Sequence, residues 1–497
     1  MSRVPLREAL VGYAGWLGYG HDERADAWLA RLEVNRPELE AFAAAAVPDL
    51  QPYAASRAVV APADGEAAAP DAMPADAAAA LERARARQEL HAFTWLPAQV
   101  PQGGPGLLAG VPVAVKDLMA VRGAPLTGGS RALDDAIPAH DAEIVARLRR
   151  AGAVVMGLAN LHEVAYGITS DNPRFGRVVN PAAPDRIPGG SSGGSAAAIA
   201  AGIVRAAVGT DTAGSIRIPA ACCGIAGLKP SYDALPRDGV LDLAASLDHV
   251  GPMGRDVGDC ATVFAAMLGM DAEPGWRYRG MRGRTVARLR GYFDEPLDAE
   301  VRAAVDAAAR ALGADGARVV ERSIPGIELA PAIQLPTITA EATAVHADRL
   351  GPRGERYGED VRVRLEMGLF MPGYWYAKAQ RLRAALVRSI ESAFDGADVL
   401  LCPTLRAPAP RMGASRVDIG GREYALHTAV TNLTLPFNLS GLPAVSIPWS
   451  VSKDGVPICV QVVAPRGGDW RALAVAERVQ AQAPWREARG TRRSEHP

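Results

Sequence analysis

The chain has 497 residues, 49% hydrophobic and 22% charged, a composition typical of soluble globular proteins rather than of disordered ones. Its formal net charge is −1, so we expect no strongly basic surface that would gather nucleic acid or an anionic membrane. Its five cysteines are an odd number, which argues against a disulfide framework and predicts a reducing, cytoplasmic compartment.

The first 93 residues contain two helical patterns separated by a connection. Residues 6–45 and 75–93 are rich in alanine, leucine and arginine and predict amphipathic helices, whereas the alanine- and proline-rich stretch 47–75 predicts a surface connection. The chain does not begin with the long apolar run of a signal peptide. We expect residues 1–75 to form an N-terminal helical layer, in which an exposed apolar helix would suit a homodimer.

The next segments alternate between strands and helices. Residues 107–115 predict a buried strand, and 141–161 predict a helix that stops at Gly152 before a short apolar strand. Such alternation is typical of an α/β sheet. The longest apolar stretch, 196–208, is too short to span a bilayer, so we expect no membrane partner.

The segment 318–376 is predicted to be irregular, between strong helical patterns at 297–315 and 377–395. We expect it to form a lid or substrate wall, with its aromatic residues divided between core and pocket. These are Tyr357, Phe370, Tyr374, Trp375 and Tyr376.

The last part of the chain predicts three buried strands, at 397–404, 435–450 and 456–465. Residues 484–497 are charged and predict a loose tail. No internal repeat is visible, so we treat residues 76–483 as one catalytic domain.

Two glycine-rich turns carry the serines that matter most. GGSSGGS contains Ser191 and Ser192, and GTDTAGS ends on Ser215. Glycine lets backbone N–H groups approach a reacting atom closely, and serines on such turns suit acyl transfer. A serine hydroxyl needs a base at neutral pH. Lys116, at the end of the apolar run in GVPVAVKD, can be that base if burial lowers its pKa from about 10.4.

The ordered motifs VAVKD, GGSSGGS, GTDTAGSIRIPA and GLKPS, followed by PFNLSGLPAVSIP, resemble the amidase signature family. The resemblance covers about residues 75 to 480. The spacing also matches, because Ser191 lies 75 residues after Lys116 and Ser215 lies 24 residues after Ser191. The resemblance implies an α/β fold in which a large mixed, twisted β-sheet is sandwiched between α-helices.

The resemblance also implies a catalytic triad. Ser215 would be the nucleophile, and Lys116 would be the ultimate base. Ser191 would follow a cis peptide bond after Gly190 and carry the proton between the other two. The backbone N–H groups of the oxyanion hole would come from Thr212, Ala213, Gly214 and Ser215.

Four further residues are expected to support the two turns, and one position departs from the commonest family pattern. Gly190 would allow its turn, while Ser192, Asp211 and Arg217 would hold the loops through hydrogen bonds. Ala213 stands where most members have glycine. Some members that act on urea-like or carbamate-like acyl groups share this alanine, which leans toward such substrates.

Several local patterns admit other interpretations. Ser192 matches the G-x-S-x-G elbow of α/β-hydrolases, but no histidine follows in a convincing context. HEVAY, from His162 and Glu163, lacks the second histidine of a zinc motif and predicts a surface feature. Packing or loop-ordering roles are expected for Asn172, Asn180, Cys222 and Cys223.

We therefore predict hydrolysis of a C–N bond through an acyl-enzyme on Ser215, without metal or organic cofactor. The near-neutral composition favours a small, largely apolar amide, carbamate (urethane) or ester, with no nucleic acid partner. Two alternatives stay open. One is the glutamine-hydrolysing subunit of a tRNA-dependent amidotransferase, and the other is a non-catalytic binding member of the family.

Overall fold

The structure is a computed structural model that describes residues 6–16, 24–67 and 72–485. Its strands are β1 (Phe93–Trp95), β2 (Pro112–Lys116), β3 (Val154–Ala159), β4 (Asp171–Asn172), β5 (Gly176–Arg177), β6 (Ala206–Asp211), β7 (Ala226–Lys229), β8 (His249–Gly254), β9 (Thr285–Leu289), β10 (Arg318–Arg322), β11 (Val399–Pro403), β12 (Arg416–Ile419), β13 (Arg422–Ala425), β14 (Ala444–Val451) and β15 (Pro457–Val463).

The α-helices of the same residues surround these strands. They are α1 (Leu6–Trp16), α2 (Ala25–Ala44), α3 (Ala77–Ala86), α4 (Glu143–Arg150), α5 (Gly193–Ala200), α6 (Arg217–Cys223), α7 (Val257–Leu268), α8 (Ala299–Ala314), α9 (Ala330–Arg353), α10 (Glu359–Met367), α11 (Gly373–Ser392), α12 (Leu426–Thr431), α13 (Pro436–Leu439) and α14 (Asp469–Gln482).

Eleven of the strands form one mixed sheet in the order β1-β3-β2-β6-β8-β7-β14-β15-β11-β9-β10. β2 is parallel to both β3 and β6, and β9 is parallel to β10 and β11. The strands between these two groups, from β8 to β15, pair antiparallel. The expected α/β fold with a large mixed sheet between helices is confirmed.

The alternating side chains of β2 show how both faces of the sheet become buried. Val113 and Val115 join the large apolar cluster formed with α4, α7, α8 and α14. Ala114 points the other way, into a cluster formed with α3, α5 and α6. A strand that is covered on both faces is apolar almost throughout, which explains the unbroken apolar run before Lys116.

The expectation of an irregular segment at 318–376 is wrong, because this stretch contains β10, α9 and α10. Pro336 and Pro352 lie inside α9, and proline is unfavourable in the interior of a helix. Helix stability in proteins comes mostly from packing, and α9 packs against α2, α10 and α11.

The aromatic residues of this segment do not line the large cavity described below. Tyr357 is buried, and Phe370 and Trp375 pack on rings from α2. Tyr376 donates a hydrogen bond to Glu341, and Tyr374 is exposed.

Several predicted boundaries change in the structure. The N-terminal pattern 6–45 becomes α1 and α2, with residues 17–23 outside the described ranges. The predicted strand at 435–450 begins as α13, since a proline is well tolerated in the first turn of a helix. Most of the predicted tail lies beyond residue 485 and so outside the described residues. Among the helices that the structure describes, none has both the length and the apolar character needed to cross a bilayer.

Candidate active site

Lys116 ends β2 in the interior of the protein, where its side chain is fully buried. Its Nζ donates hydrogen bonds to Ser191 Oγ at 2.7 Å and to Thr210 Oγ1 at 2.8 Å. Parallel pairing of β2 with β3 and β6 fixes the backbone on both sides of the lysine. The amine is therefore held against two hydroxyl groups and kept from bulk water.

Burial lowers the pKa of Lys116 to about 7, because the charged ammonium is disfavoured away from water. The carboxylates of Asp248 and Asp211 oppose this change without cancelling it. Near neutral pH a large fraction of the side chain is thus the neutral amine, which is the form that can accept a proton.

Ser191 lies on the first glycine turn, and the peptide bond between Gly190 and Ser191 is cis. The side chain of Ser170 stabilises this turn, because its Oγ donates a hydrogen bond to Gly189 O at 2.8 Å. Ser192 Oγ donates to Thr210 O at 3.2 Å, which is the supporting contact expected of this residue. Helix α5 begins directly after these two serines.

Ser215 lies on the second turn and lines a cavity, although only 5% of its surface is exposed. The two turns are joined by a hydrogen bond from Ser192 N to Ser215 O at 3.2 Å. Ser215 Oγ makes no hydrogen bond to another described residue, so the predicted contact between the Ser191 and Ser215 hydroxyls is not formed here. Catalytic hydrogen bonds are often long or absent in ligand-free enzymes and tighten when substrate binds.

The four backbone N–H groups predicted for the oxyanion hole are not equivalent. Gly214 N donates to Asp211 Oδ1 at 2.8 Å, so it is already engaged. The N–H groups of Thr212, Ala213 and Ser215 have no hydrogen-bond partner within the described chain. The loop thus offers three free donors beside Ser215 rather than four.

Gly214 instead allows the backbone conformation of this loop. Its φ is +131°, a backbone conformation that other residues rarely adopt. A Cβ on Gly214 would lie 2.3 Å from Thr434 Oγ1, which is too close for any side chain. Thr434 Oγ1 also donates a hydrogen bond to Ala213 O at 2.6 Å, so the loop packs closely against Thr434.

A buried ion pair between Asp211 and Arg217 holds the second turn, with 3.0 Å between Nη2 and Oδ1. The Asp211 carboxylate also accepts hydrogen bonds from Gly214 N, Ile216 N and Asn438 Nδ2. Burial alone would raise the pKa of Asp211, but the neighbouring Arg217 guanidinium holds it well below its usual range. Asp211 is thus hydrogen-bonded to the backbone of the second turn and paired with Arg217.

Two residues near the lysine were missed by the sequence analysis. Thr210 contacts Lys116 directly, and its position in the GTDTAGS motif is the signal that could have indicated it. Asp248 accepts a hydrogen bond from Thr212 Oγ1 at 2.6 Å and thereby supports the same turn. Burial raises the pKa of Asp248 to about 7. No local motif marks Asp248, because its contact with Thr212 joins residues that are 36 positions apart.

The cavity beside Ser215 has about 820 Å³ of empty volume. One wall comes from the motif region, with Ala213, Tyr166 and Ile168. The facing walls come from helices α2, α9, α10 and α12. In these helices the lining residues are Arg31, Val34, Asn35, Glu38, Pro331, Gln334, Leu335, Ile338, Arg364, His427, Thr428 and Thr431.

The other motifs take structural roles in this structure. His162 and Glu163 are buried, so the predicted surface position is wrong; Glu163 accepts hydrogen bonds from Ser130 Oγ and Gly358 N, which hold it inside. Asn172 and Asn180 donate only to backbone carbonyls. Cys222 and Cys223 are buried, and burial raises the pKa of both thiols.

Comparison with known proteins identifies relatives over most of the chain. The Amidase family model matches residues 74–473. A glutamyl-tRNA(Gln) amidotransferase subunit of Koribacter versatilis (strain Ellin345) is 36% identical over 409 residues, which are 75% of this chain and 84% of that protein.

Two solved structures are similar to this fold. A crystal structure of an amidase has a TM-score of 0.77 and 35% identity, covering 83% of this chain and 96% of that one. A glutamyl-tRNA(Gln) amidotransferase subunit of Thermotoga maritima has a TM-score of 0.71 and 31% identity, covering 82% of this chain and 91% of that one.

These relatives correct one expectation from the sequence. We expected a small, largely apolar amide, carbamate or ester as substrate and no nucleic acid partner, which is wrong, because the similar proteins are subunits of an enzyme named for glutamyl-tRNA(Gln). The expectation rested on net charge. A near-neutral charge argues against a broadly basic surface, but it carries no information about assembly with other chains.

Proposed function

This chain belongs to the amidase signature family, and from that membership we propose that it hydrolyses the side-chain amide of glutamine as one subunit of a tRNA-dependent amidotransferase. It is an amidase-family enzyme that acts on C–N bonds. The names of its relatives support the transfer of an amide group to glutamyl-tRNA(Gln), and the resemblance to tRNA-dependent amidotransferases implies glutamine as the nitrogen donor.

The observation that carries the chemical proposal is the contact between the buried Lys116 amine and Ser191 Oγ, on a turn that is hydrogen-bonded to Ser215 O through Ser192 N. In the first step Ser215 Oγ bonds to the amide carbon. The Ser215 proton moves to Ser191, while the Ser191 proton moves to the neutral Lys116 amine. The lysinium returns a proton to the amide nitrogen, ammonia leaves, and an ester remains on Ser215.

The second half of the reaction uses the same groups. A water molecule gives its proton through Ser191 to Lys116 and attacks the ester, which releases glutamate and restores Ser215. In both halves negative charge develops on the carbonyl oxygen. In this proposal the three free N–H groups of the turn donate hydrogen bonds to that oxygen, and one such donor is typically worth about 3 kcal/mol in the transition state.

The test is to trap the ester. The protein is mixed with glutamine, quenched in acid, and examined by intact-protein and peptide mass spectrometry. We expect a γ-glutamyl adduct on the peptide that contains Ser215, and none in Ser215→Ala. An adduct on another residue, or amide hydrolysis by Ser215→Ala, would contradict the assignment of the nucleophile.

The transfer reaction needs its own measurement. The complex purified from the native host is supplied with glutamine labelled with ¹⁵N in its amide, with glutamyl-tRNA(Gln), and with ATP and Mg²⁺ to activate the glutamyl carboxylate for attack by ammonia. We expect the label in the glutaminyl group of the tRNA. If label is released as ammonia and never reaches the tRNA, the protein hydrolyses glutamine but is not part of an amidotransferase.

The pH dependence follows from the base. Because burial lowers the pKa of Lys116 to about 7, kcat/KM should fall about tenfold for each pH unit below that value. Above it the rate should level off, since the amine is then neutral. A rate that stays constant from pH 5 to 9, with chemistry rate-limiting, would contradict a titrating lysine.

A further inference from the structure

One face of helix α2 points into the molecule along its whole length. Its residues recur at spacings of three and four, which places them on one side of an α-helix. Starting from the residue before the helix, they are Arg24, Trp28, Arg31, Asn35, Glu38 and Phe42. We call these six residues the inner face of α2.

The two ends of the inner face are firmly anchored. Arg24 forms an ion pair with Glu366 of α10 at 2.6 Å, and Trp28 Nε1 donates to the same carboxylate at 2.8 Å. At the other end Phe42 packs on Trp375 of α11, with ring centroids 5.3 Å apart. The helix is thus fixed as one wall of the cavity that contains Ser215.

The middle of the inner face is polar and lines that cavity, through Arg31, Asn35 and Glu38. Within the described chain Arg31 forms no hydrogen bond or ion pair, and the buried Glu38 Oε2 has no hydrogen-bond partner. Both residues are partly exposed, and a charged group that is partly withdrawn from water without a hydrogen-bond partner costs stability. Two such groups of opposite charge on one cavity wall indicate that a ligand supplies the missing hydrogen-bond partners.

The charges nearby favour a particular arrangement. Burial and the repulsion of Arg364 lower the pKa of Arg31 to about 10, so its guanidinium stays charged near neutral pH. Arg364 already forms an ion pair with Asp360 at 2.7 Å, whereas Arg31 has none among the described residues. Arg31 is therefore the guanidinium of this wall that is open to an anion.

We infer that Arg31 and Glu38 form a recognition pair for the end of the substrate remote from the scissile amide. Arg31 binds a carboxylate there, and Glu38 binds an ammonium group. The residues are two helical turns apart, about 10 Å along the axis, and their long side chains can converge on one zwitterionic group. This inference rests on the proposed function and assigns amino acid amides with a free zwitterionic end as the substrate class.

The first test compares three amides on four proteins. The amides are glutamine, glutaric acid monoamide, which lacks the ammonium group, and hexanamide, which has no charge. The proteins are the wild type, Arg31→Met, Glu38→Gln and Arg36→Met. Arg36 is a matched control, because it lies on the exposed face of α2 and pairs with Glu33.

We expect Arg31→Met to lower kcat/KM about 10- to 100-fold for the two carboxylates and to leave hexanamide unchanged. Glu38→Gln should affect glutamine alone, and Arg36→Met should affect none of the three. Equal losses on all three amides would assign Arg31 a structural role and overturn the inference. So would a wild type that prefers hexanamide to glutamine.

A binding measurement separates this inference from the proposed reaction. Calorimetric titration of glutamine into Ser215→Ala requires no chemistry. We expect binding in that variant and a 10- to 100-fold weaker constant after adding Arg31→Met. If this Arg31-dependent binding is found while the wild-type protein forms no Ser215 ester with glutamine, the proposed hydrolysis is disproved and the recognition pair stands. Equal binding with and without Arg31 would overturn the pair alone.

Discussion

Replacing Lys116 by methionine is expected to reduce amide turnover by about 10³- to 10⁴-fold, because it removes the general base and keeps the volume of the side chain. Substrate binding should change little, since Lys116 lies beneath the cavity rather than in its lining. The measurement is kcat and KM for glutamine near pH 8, where the wild-type amine is neutral. Turnover within tenfold of the wild type would show that another group accepts the proton.

The same variant should be more stable than the wild type. Between about pH 7 and the ordinary lysine pKa of 10.5 the folded protein holds a neutral amine, while the unfolded chain holds an ammonium ion. The unfolded chain then binds more protons, so the free energy of unfolding of the wild type rises with pH over this window. Lys116→Met removes that dependence.

Its advantage should be roughly 3 kcal/mol larger at pH 7 than at pH 10. The loss of the hydrogen bonds to Ser191 and Thr210 lowers the stability of the variant equally at both pH values and cancels from this difference. Urea unfolding of both proteins at the two pH values measures it. Lys453→Met is the control, because Lys453 is an exposed residue and should change neither turnover nor this pH dependence. An equal difference at both pH values would place the lysine in water rather than in the interior.

The parts of the site that could be predicted are those that lie close together in the sequence. The apolar run before Lys116 indicates burial, and burial is what lowers the pKa of the amine. The two glycine turns indicate tight backbone, which the positive φ of Gly214 illustrates. The fold class followed from alternating strands and helices in the same region.

The rest depends on residues that meet only after folding. Arg31 and Glu38 reach the cavity from a helix more than 170 residues before Ser215. In the sequence they look like ordinary charges on an amphipathic helix, because nothing local shows which face is covered. Pro336 and Pro352 are unfavourable inside a helix, but packing of α9 against three other helices outweighs that local preference.

The backbone donors of the oxyanion loop illustrate the same limit. Sequence resemblance implies four N–H groups and cannot tell which of them already has a partner. The carboxylate of Asp211 takes Gly214 N, and the close approach of Thr434 requires glycine at that position. The conformation of the loop thus depends on Asp211 as well as on Gly214.

Asp211→Asn should therefore unfold or severely weaken the protein, lowering the free energy of unfolding by roughly 3–5 kcal/mol. Both carboxylate oxygens accept hydrogen bonds, from Arg217 Nη2 and Asn438 Nδ2 on one side and from Arg217 Nε and Ile216 N on the other. In asparagine an NH₂ group replaces one of the two carboxylate oxygens. A hydrogen-bond donor would then face the N–H donors that this oxygen accepted from. It would also leave the Arg217 charge buried without a counter-ion.

The chain contains a matched control for this prediction. Asp171 and Arg177 have the same spacing of six residues, but each side chain of that pair is 47% exposed. Exposed pairs contribute about 0–1 kcal/mol, so Asp171→Asn should leave stability nearly unchanged. Because the pKa of Asp211 lies well below its usual range, its contribution is fully present above about pH 4 and is lost only in stronger acid. Urea unfolding at pH 7 compares the two variants. If Asp211→Asn were as stable as Asp171→Asn, the buried pair would not be what holds the turn of Ser215 in place.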